Sequence, residues 1–220
     1  MENNYQQHLF TENQSSTVFT IEDGKLDYFP TAFDARSAES YLQRLIDDID
    51  WRQDNITIAG KLIPIPRLQA WFGDPGMYYT YSGLKMTPGA WPSVVADVKQ
   101  AVERVTGRSF NSALVNYYRD GQDSVGWHSD NERELGEDPV IASVSFGARR
   151  VFELKHKKKK TLRKAQIQLD SGSILVMSGQ TQKYWKHQLP RDRNIKSPRL
   201  NLTFRTIVNF TIKELTPLVG

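Results

Sequence analysis

The chain has 220 residues, of which 39% are hydrophobic, 25% charged and 11% aromatic, and its formal charge is +4. That length suits one domain with a sizeable core, and the aromatic share argues against disorder. Cysteine is absent, which excludes disulfides, thiolate metal sites and a cysteine nucleophile, so a metal would have to be held by His, Asp or Glu.

Residues 1–24 hold no Lys or Arg and read as a loosely ordered N-terminal arm, with neither a secretory signal nor a transit peptide expected. Residues 25–220 read as a single domain. From Ser37 to Ile49 the apolar residues Ala38, Tyr41, Leu42, Leu45, Ile46 and Ile49 recur at helical spacing, with Glu39, Gln43, Arg44 and Asp47 on the wet side. A second helix is predicted from Pro92 to Thr106. It turns Val94, Val95, Val98, Ala101, Val102 and Val105 inward and stops at Gly107. Between the helices, Lys61 to Trp91 is rich in Pro, Gly and aromatic residues. Those rings suit packing under a sheet or the wall of a pocket for a flat ligand.

After Gly107 the pattern is of short strands at 110–118, 125–130, 140–146, 150–155, 165–169, 173–178, 183–189 and 199–209. This predicts a mainly β fold with flanking helices: a sandwich, jelly roll or small barrel with the two N-terminal helices packed outside. Arg149 to Lys164 is dense in Lys and Arg with a single Glu, which suits either a phosphate backbone or a solvated loop. The apolar run Ile174 to Met177 is too short to span a bilayer, and no membrane partner is expected.

Three stretches carry the chemistry. In "VGWHSDNE", His128 and Asp130 share a face if the segment is extended. Of the four histidines, His8 lies in the arm, His156 adjoins a lysine run and reads as a surface residue, and His187 sits on a predicted strand in "YWKHQLP". Two histidines and one carboxylate on one face suit a non-haem Fe(II) centre. In "PRLNLTFRT", Arg199, Asn201, Thr203 and Arg205 alternate with Leu200, Leu202 and Phe204. That polar face would either meet solvent or, turned into a barrel, require an anion such as a dicarboxylate. In "FNSALVNYYRDG", Asn116 and Tyr118 offer an amide and a phenol on one face.

Together "VNYY", "WHSD", "ASVSFGARRVFEL", "HQLP" and "PRLNLTFRT" resemble the AlkB family of Fe(II)- and 2-oxoglutarate-dependent nucleic-acid dealkylating dioxygenases, in matching order from Pro66 to Ile207. The resemblance implies a double-stranded β-helix, or jelly roll, with His128, Asp130 and His187 as catalytic iron ligands. It implies that Asn116, Tyr118, Arg199, Asn201 and Arg205 hold 2-oxoglutarate, with Arg205 on its distal carboxylate and Arg199 near the metal-side one. Residues 56–91 become a nucleotide-recognition segment, in which Arg67 nears the nucleic acid and Trp71 and Tyr79 cover the alkylated base. Glu132 becomes a pocket acid that contacts it.

The reaction so implied consumes O2 and 2-oxoglutarate, oxidises an N-alkyl carbon of a base such as 1-methyladenine or 3-methylcytosine, and releases formaldehyde, succinate and CO2. Phosphate contacts are expected from Arg67, Arg119, Arg149 or Arg150 and the basic loop 155–164. Family members acting on duplexes carry a bulky aromatic wedge before "PR", where this chain has Ile58 and Ala59. The expected partner is therefore alkylated single-stranded DNA or RNA, met by a monomer. The expected location is cytoplasmic in a bacterium, or nuclear and cytoplasmic in a eukaryote. A protein or lipid substrate and a catalytically idle nucleic-acid-binding module are the alternatives.

Overall fold

The computed structural model describes residues 16–208, apart from 59, 78, 82, 83 and 87, and for 58, 79–81 and 84–86 it describes the backbone alone. The described chain starts with a hairpin of β1 (Thr17–Ile21) and β2 (Gly24–Phe29), in register from Thr17 opposite Tyr28 to Ile21 opposite Gly24. The expected loose arm is corrected for this last part: "TVFTI" consists of β-branched and aromatic residues that favour a pleated surface. Residues 1–15, with His8, lie outside the described residues.

Helix α1 (Ala35–Asp48) begins two residues before the periodicity predicts, because Asp34 caps it. The Asp34 carboxylate accepts the Ser37 N–H at 2.7 Å and the Ser37 hydroxyl at 3.1 Å, satisfying a donor at the helix start that would otherwise lack a partner. Three pieces of the recognition segment follow: the hairpin β3 (Asn55–Ile58) with β4 (Lys61–Pro64), then β5 (Leu68–Gly73), then the hairpin β6 (Tyr79–Tyr81) with β7 (Leu84–Met86). Helix α2 (Ser93–Thr106) ends at Gly107, whose φ of 63° lies in the left-handed region that terminates helices at little cost to glycine.

The remaining strands are β8 (Ser112–Tyr118), β9 (Val125–His128), β10 (Ile141–Gly147), β11 (Arg150–His156), β12 (Ala165–Leu169), β13 (Ser173–Ser178), β14 (Trp185–Leu189) and β15 (Arg199–Arg205), with a one-turn helix α3 (Thr181–Tyr184) before β14. They form two antiparallel sheets, one ordered β1-β2-β13-β10-β15-β8-β5 and one ordered β12-β11-β14-β9. From β8 onward the chain passes repeatedly between the sheets, an order consistent with a jelly roll. No helix among the described residues is long and apolar enough to cross a membrane.

Alternation decides what each sheet face meets. Leu200, Leu202 and Phe204 point to one side of β15 and are fully buried with Val94, Val95, Val98, Ala101 and Val102 of α2 and with Leu42 and Leu45 of α1. Each such side chain contributes on the order of 1.5–3 kcal/mol by leaving water. A second cluster joins Leu26, Ile141, Leu175 and Met177 of the larger sheet to Phe152, Leu154, Ile167 and Trp185 of the smaller one. The polar side of β15 is therefore interior, not solvated.

Candidate metal and dicarboxylate site

The site grows from β8, β9, β14 and β15, whose polar faces line one cleft of about 1010 Å3 between the sheets. His128 ends β9 and His187 is its register partner on β14, so pairing the two strands brings the imidazoles together. Their Nε2 atoms lie 3.1 Å apart, and Asp130 Oδ2 lies 3.7 Å from His187 Nε2. All three candidate ligand atoms fall within 4.8 Å of one another.

Asp130 reaches this point by a different route from the one that strand spacing predicts. Strand β9 stops at His128, and Asp130 sits in the loop beyond it. Its backbone N–H donates to Gln182 Oε1 at 2.9 Å, and Arg205 Nη2 donates to its Oδ1 at 2.7 Å. Gln182 is a residue that the sequence reading misses. Only the fold reveals that α3, just before the His187 strand, abuts the Asp130 loop.

Electrostatics fit a cation. His128 Nδ1 lies 2.8 Å from the Gly126 carbonyl; as donor there it leaves Nε2 with a lone pair facing the site. Burial, reinforced by His128, pushes the His187 imidazole down to about 3, so it is neutral at physiological pH, as a ligand must be. Burial opposes the charge on Asp130, but Arg205 and the two histidines outweigh it and hold the carboxyl below its ordinary range. Two lone-pair nitrogens and a carboxylate oxygen converging on one point are mutually repulsive until a proton or a metal ion lies between them.

Along β15, each inward residue has a cross-strand partner: Arg199 opposite Tyr118, and Asn201 opposite Asn116. Arg199 is 2% exposed and donates to Ser145 Oγ at 2.8 Å, with its guanidinium 5.3 Å from the Tyr118 ring centre. Burial lowers its pKa to about 10, which leaves it charged at neutral pH. Asn201 donates to Ser143 Oγ and to the Val144 carbonyl. The Nε atoms of both Arg199 and Arg205 are buried without a hydrogen-bond partner, the donors that a bound dicarboxylate would satisfy. Arg205 stands beside Asp130, whereas Arg199 meets Ser145 and Tyr118, a placement that favours the reverse of the expected order of the two arginines.

The expected substrate residues divide. Trp71 and Glu132 line the cleft, and Glu132 Oε2 is buried without a partner. Arg67 also lines it but is engaged within the protein, donating to Asn116 Oδ1 at 2.8 Å and to the Ser124 carbonyl at 3.5 Å. Tyr79 lies on β6, and its side chain is outside the described residues, as are Ala59 and the side chain of Ile58. Phe29, Phe72 and Trp91 pack against the helix-side core, and Trp91 Nε1 donates to Asp74. His156 is 7% exposed, which corrects its reading as a surface residue: Nδ1 accepts the Lys158 and Lys159 N–H groups, and Nε2 meets Asp23 at 3.1 Å.

Fold and site together define a mainly β protein built around a His-Asp-His cluster able to hold a metal ion, with two arginines of one strand beside it. The sequence profile of the 2OG-Fe(II) oxygenase superfamily matches residues 25–205. Alpha-ketoglutarate-dependent dioxygenase alkB homolog 3 of Mus musculus is 41% identical over 187 residues, which cover 81% of this chain and 65% of that protein. DNA oxidative demethylase ALKBH2 of Homo sapiens is 39% identical over 189 residues, covering 82% of this chain and 72% of that protein. A solved structure of OsALKBH1 superposes with a TM-score of 0.59 at 16% identity, covering 86% of this chain and all of that one, and so supports the fold. The chain belongs to the AlkB family within the 2OG-Fe(II) oxygenase superfamily. It spans slightly under two thirds of the length of the alkB homolog 3 proteins.

Proposed function

We propose that this chain is an Fe(II)- and 2-oxoglutarate-dependent dioxygenase that removes N-alkyl groups from bases of DNA or RNA, within a double-stranded β-helix flanked by α1 and α2. The observation that carries it is one strand with a buried arginine at one end and a partly buried one at the other, the latter paired to the carboxylate of a His-Asp-His cluster. A metal beside a dicarboxylate is what those charges ask for.

His128 and His187 would give neutral nitrogens and Asp130 an oxygen to iron, with Arg205 holding Asp130 in place. Arg199 would clamp the distal carboxylate of 2-oxoglutarate in the fork geometry that suits a planar anion, with Tyr118, Asn116 and Asn201 around it. When bound, iron and 2-oxoglutarate activate O2 to oxidise the N-alkyl carbon, giving succinate, CO2 and an adduct that releases formaldehyde. Leu114, Phe152, Met177 and Leu189 give the cleft around those residues an apolar lining. Trp71 would stack on the base, a contact typically of about 1–3 kcal/mol, and the partnerless Glu132 oxygen would accept from its edge. Tyr79 and Arg67 complete the proposed recognition set.

Single strands are the preferred substrate in this reading, since Ile58 and Ala59 offer no aromatic wedge. A duplex is the second reading, and one observation favours it: Leu62, on the β3–β4 hairpin, is 70% exposed, and leucine is among the side chains that wedge between base steps.

Single- and double-stranded oligonucleotides bearing 1-methyladenine or 3-methylcytosine, supplied with Fe(II), ascorbate and 2-oxoglutarate, distinguish the two. Formaldehyde and succinate released faster from single strands support the first reading, and the reverse order supports the second. No product from either defeats the dealkylase assignment.

A further inference from the structure

The cations expected to meet nucleic-acid phosphates are largely engaged inside the protein. Arg119 forks onto Asp123 at 2.7 and 2.8 Å, Arg149 pairs with Asp170, and Arg150 is 2% exposed with its guanidinium on the carbonyls of Asp120, Asp123 and Pro190. In the lysine run, Lys157 donates to the Gln182 carbonyl, Lys158 lies over the Tyr184 ring, and Lys159 bonds Glu22 and Asp23. Among the described residues of that run, only Lys160 at the tip has a side chain without a partner, its N–H donating to the Lys158 carbonyl.

The two lysines at the ends of the 155–164 stretch, Lys155 and Lys164, are placed differently, and Lys186 joins them. On the outer face of the four-stranded sheet, Lys155 of β11 lies directly opposite Lys186 of β14. Like charges facing each other across a ladder are destabilising, and neither lysine has a carboxylate within ion-pair distance among the described residues. Glu153, on the same face of β11, gives one oxygen to Gln166 and the other to Gln188. Lys155 Nζ lies 4.2 Å, and Lys164 Nζ 5.4 Å, from the centre of the Trp127 ring. Trp127 is the residue before His128 and is among the residues that line the cleft. A half-buried indole with two lysines over its ring is the combination that binds a single strand, by stacking one base and neutralising the phosphates beside it.

We propose that Trp127, Lys155, Lys164 and Lys186 form the track along which a nucleic-acid strand continues from the base held in the cleft. The inference rests on the dealkylase reading for its partner; within residues 155–164 it confines the contact to Lys155 and Lys164, and it adds Trp127 and Lys186 of the neighbouring strands. Continuity with the cleft favours nucleic acid over an acidic peptide, because the same polymer can occupy both at once.

The test measures binding of an unmodified, fluorophore-labelled single strand across a salt series, with an Fe(II)-independent readout. Lys155→Gln/Lys164→Gln/Lys186→Gln should weaken binding about tenfold and reduce the slope of log affinity against log salt by about 2, at roughly 0.7 per lost phosphate contact. Lys158→Gln/Lys160→Gln should leave the slope unchanged, and Trp127→Leu should remove part of the tryptophan quenching that the strand produces. Loss of the slope in the loop variant and not in the sheet variant overturns the proposal. So does equally tight binding of wild type to polyglutamate. If wild type turns over a methylated trinucleotide while the sheet variant binds long strands normally, the track fails and the dealkylase reading survives. If wild type binds no strand and demethylates none, that reading fails first.

Discussion

Arg205 Nη2 lies 2.7 Å from Asp130 Oδ1, and both side chains are largely buried. The ion pair leaves Oδ2 of the same carboxylate free to face the histidines, so one oxygen is structural and the other is available to a metal. Groups that orient a ligand in this way typically govern metal affinity by about ten- to a hundredfold. Arg205→Ala should weaken Mn(II) binding, followed by electron paramagnetic resonance titration, by about that factor. Unchanged affinity would show that the pair does not orient Asp130.

Gln182 should matter through the Asp130 N–H that it accepts. Gln182→Leu leaves a buried donor without a partner, which costs about 1–3 kcal/mol in thermal or urea unfolding. It should also loosen Mn(II) binding, whereas Gln182→Glu, which keeps an acceptor oxygen, should restore most of the affinity. Equal metal affinity in Gln182→Leu and wild type would confine the residue to a packing role.

Arg199 makes opposite demands on the free and the ligand-bound protein. It is a buried cation facing no carboxylate among the described residues, and an apolar side chain of similar volume at such a position is often neutral or stabilising. Arg199→Met should therefore keep or raise the apo melting temperature. It should also abolish the further stabilisation that 2-oxoglutarate adds to the Mn(II)-loaded wild type, worth about 2.7 kcal/mol when the ligand stands at a hundred times Kd. Retained stabilisation would remove Arg199 from the cosubstrate site.

Asp123 gives the pH dependence a sign. Burial opposes its charge, but the hydrogen bonds and the field of Arg119 outweigh that and hold its folded pKa below the ordinary value. A depressed carboxylate stabilises the fold above its unfolded pKa, and that contribution is lost as pH falls through the folded one. Asp123→Asn should destabilise the protein near neutral pH, and the gap to wild type should shrink steadily below the ordinary carboxylate range. A gap that stays constant through acid, measured by urea unfolding at each pH, would contradict the linkage.

Much of the fold was legible because periodicity reports it directly. The valines of α2, Gly107 as its stop, and the alternation of "RLNLTFR" follow from helical and strand spacing with no tertiary information. The strands of residues 56–91 were not legible. They are only three to six residues long, and their Pro, Gly and aromatic content reads equally as turn. Asp34, immediately ahead of α1, was a readable cap that the apolar period alone passes over.

The site divides in the same way. Residue chemistry offered the candidates, His128, Asp130 and His187 with no cysteine to compete and two arginines on one face of a strand, and the family resemblance joined them into one site. Tertiary structure decided their neighbours. Alternation can say that Arg199 and Arg205 share a face, but not which end of β15 meets the metal. That depends on the loop after β9, held by Gln182 and Arg205 from elements far away in sequence. Spacing likewise shows that Lys157 to Lys160 is basic, whereas only the folded chain shows most of those charges tied to Gln182, Tyr184, Glu22 and Asp23. Local pattern fixes which way a side chain points relative to its own element; what it meets there is a long-range property, set by how the two sheets close on each other.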